Sequence, residues 1–332
     1  MLLFRRDSTL STPLLYRNDG ATYTAISTGL PAFADGWIDW GDFDGDGDLD
    51  LLLTGSLGGI NLISNVYRND GAGVGNSQIF TNIQAGLQGV GRGMAVWGDA
   101  DNDGDLDVLL SGYTYLNFVN TRITRVYQNN GYTPTGDGNF MNAGAGLVDH
   151  ENSVVTWADV DRDGRLDILT SGSVRGLYAT RLYRNLGNFN FAQLNAGLPA
   201  ELTSHMAWGD VDNDGDLDLA LSGNSPLSTA IYINNGSTAL ANGDPIFTLL
   251  ATLSNDNNAS LAWGDTDNDG DLDLLTTGSY NTRFFRNNGI ATNGNNRFTE
   301  AMLGLPGITF GDATWGDEDG DGDLDLLISG FT

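Results

Sequence analysis

Short apolar bursts bounded by turn residues run the length of the chain, and four kinds recur in a fixed order. The first ends in Trp, as in Met94-Ala95-Val96-Trp97. The second follows an acidic cluster, as in Leu49-Asp50-Leu51-Leu52-Leu53, and is closed by Thr/Ser-Gly. The third ends in Tyr/Phe-x-Asn, at Tyr16, Tyr67, Tyr127, Tyr183, Tyr232 and Phe285, before a turn rich in Asn, Asp and Gly. The fourth centres on Phe or Tyr, as in Gln78-Ile79-Phe80-Thr81. Short strand signals with regular turn punctuation predict an all-β chain. Four strands repeating every ~40–60 residues predict the blades of a β-propeller.

One phrase anchors the repeat. It reads WGDFDGDGDLDLLLTG from Trp40 and returns, with small changes, from Trp97, Trp157, Trp208, Trp263 and Trp315. Its first Asp falls at 42, 99, 159, 210, 265 and 317, in steps of 57, 60, 51, 55 and 52 residues. The chain opens on third- and fourth-strand signals (14–19 and 23–26) and stops after first- and second-strand signals (313–315 and 324–328). Joined head to tail, the last cluster leads to the first over 57 residues, inside the range of the other steps. The expectation is therefore one domain, 1–332: a six-bladed propeller of four-stranded antiparallel blades, its ring closed by a composite blade of two C-terminal and two N-terminal strands.

Composition sharpens this picture. The net charge of −28 comes almost wholly from Asp, with Glu only at 151, 201, 300 and 318 and no Lys. Most of the Asp falls into the six clusters, so the charge is local and has a chemical purpose. The 15 arginines are scattered, which disfavours nucleic acid, whose phosphates need clustered bases. An anionic membrane surface is disfavoured for the same reason. Absence of Cys removes disulfides and thiolate chemistry. Residues 1–12 lack the apolar run of a signal peptide, and no stretch reaches the ~18 apolar residues of a membrane span. A secreted or cell-surface location is expected, with any signal sequence outside this chain, and a monomer is expected.

Each cluster reads Asp-x-Asp-x-Asp-Gly-x-Leu-Asp. Oxygen-only ligands at one-residue spacing suit a hard cation, and the Gly permits the sharp turn that wraps backbone around it. Mg²⁺ demands tighter octahedral geometry and Zn²⁺ prefers His or Cys, so Ca²⁺ is the expected ion, one per blade and six in all. The expected sites are Asp42, Asp44, Asp46, Asp48 and Asp50; Asp99, Asp101, Asp103, Asp105 and Asp107; and Asp159, Asp161, Asp163, Arg165 and Asp167. The other three are Asp210, Asp212, Asp214, Asp216 and Asp218; Asp265, Asp267, Asp269, Asp271 and Asp273; and Asp317, Asp319, Asp321, Asp323 and Asp325. At loop positions 1, 3, 5 and 9 the side chains are expected to ligate. At position 7 only the backbone carbonyl is, because the third loop has Arg165 there. The start resembles an EF-hand, but its Glu at position 12 is missing: Leu53, Leu110, Thr170, Leu221, Thr276 and Ile328 stand there, within a strand. Solvated acidic turns would be a poor alternative. Two carboxylates ~4 Å apart at an effective dielectric of ~20 repel by roughly 4 kcal/mol, and the pattern occurs six times.

The loops, with the following Asp-Leu-Leu-Leu-Thr-Gly, resemble the FG-GAP/VCBS repeats of integrin α-subunit propellers and of bacterial secreted proteins. The Tyr-Arg-Asn-Asp-Gly pieces resemble the bacterial branch. The resemblance covers essentially the whole chain. It implies calcium cages between the first two strands of each blade, at one rim, with ligands met on the opposite face. The chain departs from integrins in having six repeats, not seven, and Trp-Gly before the loop.

The six Trp read as inter-blade core more than as sugar platforms. The loops joining strands two to three and four to one diverge between repeats, which is where function can differ. They carry Trp37, Arg92, Tyr115, Phe118, His150, Glu151, Arg175, Tyr178 and His205, suited to carbohydrate or peptide. The leading expectation is a calcium-binding recognition or adhesion module, with a carbohydrate or protein ligand on the face opposite the calcium loops. Alternatives are a polysaccharide-processing enzyme and a structural spacer of a larger surface protein. Catalysis is disfavoured, since general acid–base work recruits His, Lys or Glu and only His150 beside Glu151 offers a pair.

Overall fold

In the computed structural model, residues 2–3, 9–20, 22–73, 75, 77–116, 119–131, 140–200, 203–224, 227–254, 259–278, 281–289 and 297–331 are described. An N-terminal sheet holds β1 (Leu2–Leu3), β2 (Leu14–Asn18) and β3 (Tyr23–Ile26). Five four-stranded antiparallel blades follow. Blade 1 is β4 (Ala34–Gly41), β5 (Asp50–Ser56), β6 (Leu62–Ala72) and β7 (Gln78–Asn82). Blade 2 is β8 (Gly91–Gly98), β9 (Asp107–Leu116), β10 (Val119–Asn129) and β11 (Phe140–Asn142). Blade 3 is β12 (Glu151–Ala158), β13 (Asp167–Val174), β14 (Leu177–Asn185) and β15 (Phe191–Leu194). Blade 4 is β16 (Thr203–Gly209), β17 (Asp218–Asn224), β18 (Leu227–Asn234) and β19 (Phe247–Ser254), with a short helix, α1 (Gly236–Asn242), before its last strand. Blade 5 is β20 (Ser260–Gly264), β21 (Asp273–Gly278), β22 (Asn281–Asn287) and β23 (Phe298–Ala301). A two-stranded sheet of β24 (Thr309–Gly316) and β25 (Asp325–Phe331) ends the chain.

First strands pack side by side in chain order, β4 on β8, β8 on β12, and so on to β20 on β24. This is the arrangement of propeller blades, and the all-β reading holds. Second strands lie between neighbouring blades, so both faces are covered and the apolar runs are continuous: Leu51, Leu52 and Leu53 are fully buried, as are Val108, Leu109 and Leu110. The Trp of each repeat is core, as expected. Trp97 lies 6.0 Å from Phe140 of its own blade, and Trp157, Trp208 and Trp263 meet Phe191, Phe247 and Phe298 in the same way. Each also presses on the preceding blade. A β-carbon at Gly41 would lie 2.7 Å from Trp97 Cδ1, and one at Gly98 2.6 Å from Trp157 Cδ1. Gly in Trp-Gly-Asp therefore makes room for the next blade's indole, two residues from the first loop carboxylate.

The composite blade is the one expectation that the sheet pairing does not reproduce. Leu2 and Leu3 pair with Leu15 and Leu14. They take the edge of β2 that β25 would need, since β3 holds the other. A β-carbon at Gly316 would meet nothing within 4 Å, where its counterparts meet a Trp. Leu327 is 43% exposed, against 0% for Leu52 at the same place in blade 1.

Candidate metal centres and the opposite rim

The acidic loops have one conformation repeated. Position 4 is left-handed in all six, at Gly45, Asn102, Arg162, Asn213, Asn268 and Gly320 (φ 57–75°). Position 6 is left-handed too (φ 84–95°) and is always Gly, which alone takes that conformation without strain. These two turns let the position-1 carboxylate accept backbone N–H bonds from inside its own loop. Asp99 accepts from Asp103 (3.1 Å) and Gly104 (3.0 Å), and Asp42, Asp159, Asp210, Asp265 and Asp317 do likewise.

Position 9 is the buried anchor. Asp107 is fully buried and accepts from Ala100 N (2.9 Å) and, across the blade, from Asn129 N (2.8 Å). Asp50, Asp167, Asp218 and Asp273 repeat the pair of bonds with Asn69, Asn185, Asn234 and Asn287 of the third strand. Burial pushes the carboxyls of Asp50, Asp107, Asp167 and Asp218 up to about 7. Asp325 accepts from Glu318 N (2.9 Å), the loop half of the same pattern.

Carboxylate oxygens of positions 1, 3 and 9 converge within 4.8 Å in four loops: Asp42, Asp44 and Asp50; Asp99, Asp101 and Asp107; Asp159, Asp161 and Asp167; Asp210, Asp212 and Asp218. In the fifth, the converging set is Asp265, Asp267 and Asp269. In all six loops the position-5 carboxylate accepts the N–H of position 7, at Asp46, Asp103, Asp163, Asp214, Asp269 and Asp321. A cation fits this arrangement. The Oδ1 atoms of Asp44, Asp101, Asp161 and Asp212 are buried without a hydrogen bond, an arrangement costly unless a positive charge faces it. Burial, with the neighbouring loop carboxylates, raises the pKa of each of these four groups. The donors are all oxygen, the set a hard ion such as Ca²⁺ takes.

Two roles were not read from the sequence. The third-strand Asn side chain reaches back one blade: Asn129 Nδ2 donates to Phe43 O, Asn185 to Ala100 O, Asn234 to Val160 O and Asn287 to Val211 O (2.8–3.2 Å). Its recurrence in Tyr/Phe-x-Asn was the available signal. The position-7 Asp receives the position-4 side chain of the preceding loop, as Asn213 Nδ2 to Asp271 (2.9 Å) and Asn268 Nδ2 to Asp323 (3.1 Å). Loops and blade joints are thus one structure.

The opposite rim is built differently. First strands enter through a register shift between Ala34 and Trp37, Gly91 and Met94, Glu151 and Val154, Thr203 and His205, and Thr309 and Asp312. At these bulges Asp35, Arg92 and Asn152 hold φ of 50°, 45° and 48°, strained for residues other than Gly. A cavity of ≈ 430 Å³ opens there between blades 2 and 3, lined by Thr121, Arg122, Val148, Asp149, Val174 and Arg175. Arg122 pairs with Glu151 (2.7 Å) and Asp149 with Arg125 (2.5 Å), while Arg175 is exposed on the β13–β14 turn beside exposed Leu177 and Tyr178. Tyr115 stands edge-on to Tyr113 at 6.0 Å. Trp37 N donates to Thr54 Oγ1, His205 is half-buried, and Phe118 lies outside the described residues. His150 is fully buried, and burial holds its pKa down at about 4. Glu151, its neighbour, is engaged by Arg122 (2.7 Å).

No helix among the described residues is long and apolar enough to cross a membrane. No curated protein sequence matches the chain. A family model described as an FG-GAP-like repeat matches residues 265–328, from the fifth loop through β25. The fold is similar to that of a lectin from Agrocybe aegerita, solved for specific recognition of non-reducing terminal N-acetylglucosamine. The TM-score is 0.60 at 18% identity, over 98% of this chain and 83% of that one. Similarity to the Tc holotoxin pore of Photorhabdus luminescens is slight, with a TM-score of 0.42 at 18% identity over 88% of this chain and 13% of that one. The FG-GAP-like repeat is thus matched over residues 265–328, and the whole-chain likeness to the lectin is one of fold.

Proposed function

We propose that this chain is a calcium-stabilised recognition module, presented outside the cell, that binds carbohydrate at the rim opposite its acidic loops. The observation that carries the reading is the cavity between blades 2 and 3. Guanidinium and carboxylate groups line it together with apolar Val148 and Val174, and Tyr178 is exposed at the start of β14, just after the turn that carries Arg175. Sugars are held by this mixture of directed polar groups and apolar surface. The strained bulges at the same rim point the same way, because such strain persists where it aims side chains at a ligand. The similar Agrocybe aegerita propeller is a lectin, which favours carbohydrate over peptide as the ligand class.

Calcium would be held by the side chains at positions 1, 3 and 9, with position 5 and the position-7 carbonyl as further oxygens. It supplies positive charge to carboxylates that otherwise repel. Glycan-array binding in calcium tests the reading, with Arg175→Ala as the site variant. Binding that falls at least ~10-fold in the variant supports it. A folded, calcium-loaded protein that binds no glycan contradicts it.

A further inference from the structure

The six acidic loops are alike in conformation but not in charge. Position 7 is Asp in five loops and Arg165 in the third. The residue that follows the third-strand Tyr/Phe also varies: Arg68, Gln128, Arg184, Ile233 and Arg286 in blades 1 to 5. In blade 1, Arg68 pairs with Asp70 (2.6 Å), although it shares a cavity with Asp44, Asp46 and Asp48 and its charge is felt at Asp44. In blade 2, neutral Gln128 donates to Asp101 (2.9 Å). In blade 4 an apolar Ile233 makes no such contact, and in blade 5 a half-exposed Arg286 reaches Asp267 (2.7 Å).

Blade 3 combines both changes. Arg184 Nε lies 2.5 Å from Asp161 Oδ2, a charge contact without hydrogen-bond alignment, and its Nη2 lies 3.0 Å from Asp163 Oδ2. Arg165 also pairs with Asp163 through Nη2, while its Nε donates to Asn185 O (2.9 Å), which fixes the guanidinium over the loop. Asp161 is only 7% exposed, so its contact with Arg184 is shielded from solvent. Two guanidiniums thus face the carboxylates at positions 3 and 5, on which an incoming cation depends.

We infer that the third loop carries its own cations and is a weaker calcium site than loop 2, from which it differs in charge at Arg162, Arg165 and Arg184. Arg162 reaches Asp216 of the next loop (3.4 Å), which leaves Arg165 and Arg184 as the two that face this loop's carboxylates. The inference rests on the calcium reading of the loops. An ion entering here meets one carboxylate fewer and two fixed positive charges, at distances where Coulomb terms exceed thermal energy even at an effective dielectric of ~20. The same guanidiniums relieve the mutual repulsion of Asp161 and Asp163, so this loop keeps its shape with less help from metal.

The chain itself supplies the test variants. R165D/R184Q gives the third loop the pattern of blade 2 at the two positions that face Asp161 and Asp163, and D105R/Q128R gives the second loop the pattern of blade 3 at those positions. Native mass spectrometry across a range of free calcium counts the ions. At limiting calcium the first variant should bind one ion more than the wild type. The reciprocal variant should bind one fewer, with the affected site weakened ~10-fold or more. Melting in saturating calcium shows that each variant is folded, and either variant decides the question if the other fails. Counts equal to wild type at every calcium level in a folded variant overturn the inference and leave the calcium reading intact. A wild-type protein that binds no calcium overturns both.

Discussion

Replacing Asp107 with Ala should be among the costliest single changes available in an acidic loop. Its two oxygens accept from Ala100 N and Asn129 N, at 2.9 and 2.8 Å, and the residue is fully buried. Alanine leaves both backbone groups without a partner and without water. Each orphaned buried N–H costs about 1–3 kcal/mol, so the pair costs about 2–6 kcal/mol before any loss of calcium is counted. A domain's whole stability is ~5–15 kcal/mol. Asp105→Ala is the internal comparison: that position is only half-buried and is assigned only its carbonyl, so its loss should cost much less than that of Asp107. Urea denaturation in saturating calcium, read from the midpoint at constant slope, measures both. The reasoning is refuted if D107A and D105A are destabilised equally.

Three further outcomes are expected. Metal-free protein should lose stability as pH rises from about 4 to about 7. Asp50, Asp107, Asp167 and Asp218 titrate near 7 in the fold, so the folded chain holds protons that the unfolded chain has released. Calcium replaces those protons, so the gap between loaded and metal-free melting temperatures should widen from pH ~5 to ~8; a constant gap rejects the assignment. Gly98→Ala should cost about 1–3 kcal/mol by overpacking, since its β-carbon would lie 2.6 Å from Trp157 Cδ1; an unchanged melting temperature counts against the Trp wedge. Closure of the ring in solution through β25 and β2 requires β1 to give up the edge of β2, where Leu2 pairs with Leu15: blade 1 pairs Leu52 with Val66, and the equivalent residues are Leu327 and Leu15. In this Cys-free chain, L15C/L327C should form an intramolecular disulfide under mild oxidation, and its failure in folded monomer counts against closure.

Much of this was legible because the repeat states each element several times over. The Asp spacing located the loops, and Arg165 marked position 7 as the place where the third loop departs from the others. What stayed hidden depends on partners distant in sequence. The inward reach of Asn129 to Phe43 O spans 86 residues and leaves only a recurring Asn behind. The left-handed Asp35, Arg92 and Asn152 arise from a shift in strand pairing, not from turn residues that favour positive φ. Helix α1 carries no acidic first turn and no side-chain N-cap, so only left-handed Gly243 at its end marks it locally; buried Ala239 holds it to the core. The convergence of positions 1, 3 and 9 in four loops, with the position-5 carboxylate bonded to the loop backbone, is set by hydrogen bonds that the motif does not spell out.

The account's central claim is that calcium in the acidic loops holds the propeller together. A ligand that binds only the folded state adds about 2.7 kcal/mol per site at 100 times its Kd, so several filled loops would dominate the stability. The direct measurement is the melting temperature with and without chelator, with bound calcium counted in the same samples. The account predicts several bound ions per chain and a large fall in melting temperature once they are removed. Metal-free protein that melts at the temperature of the loaded form would contradict it.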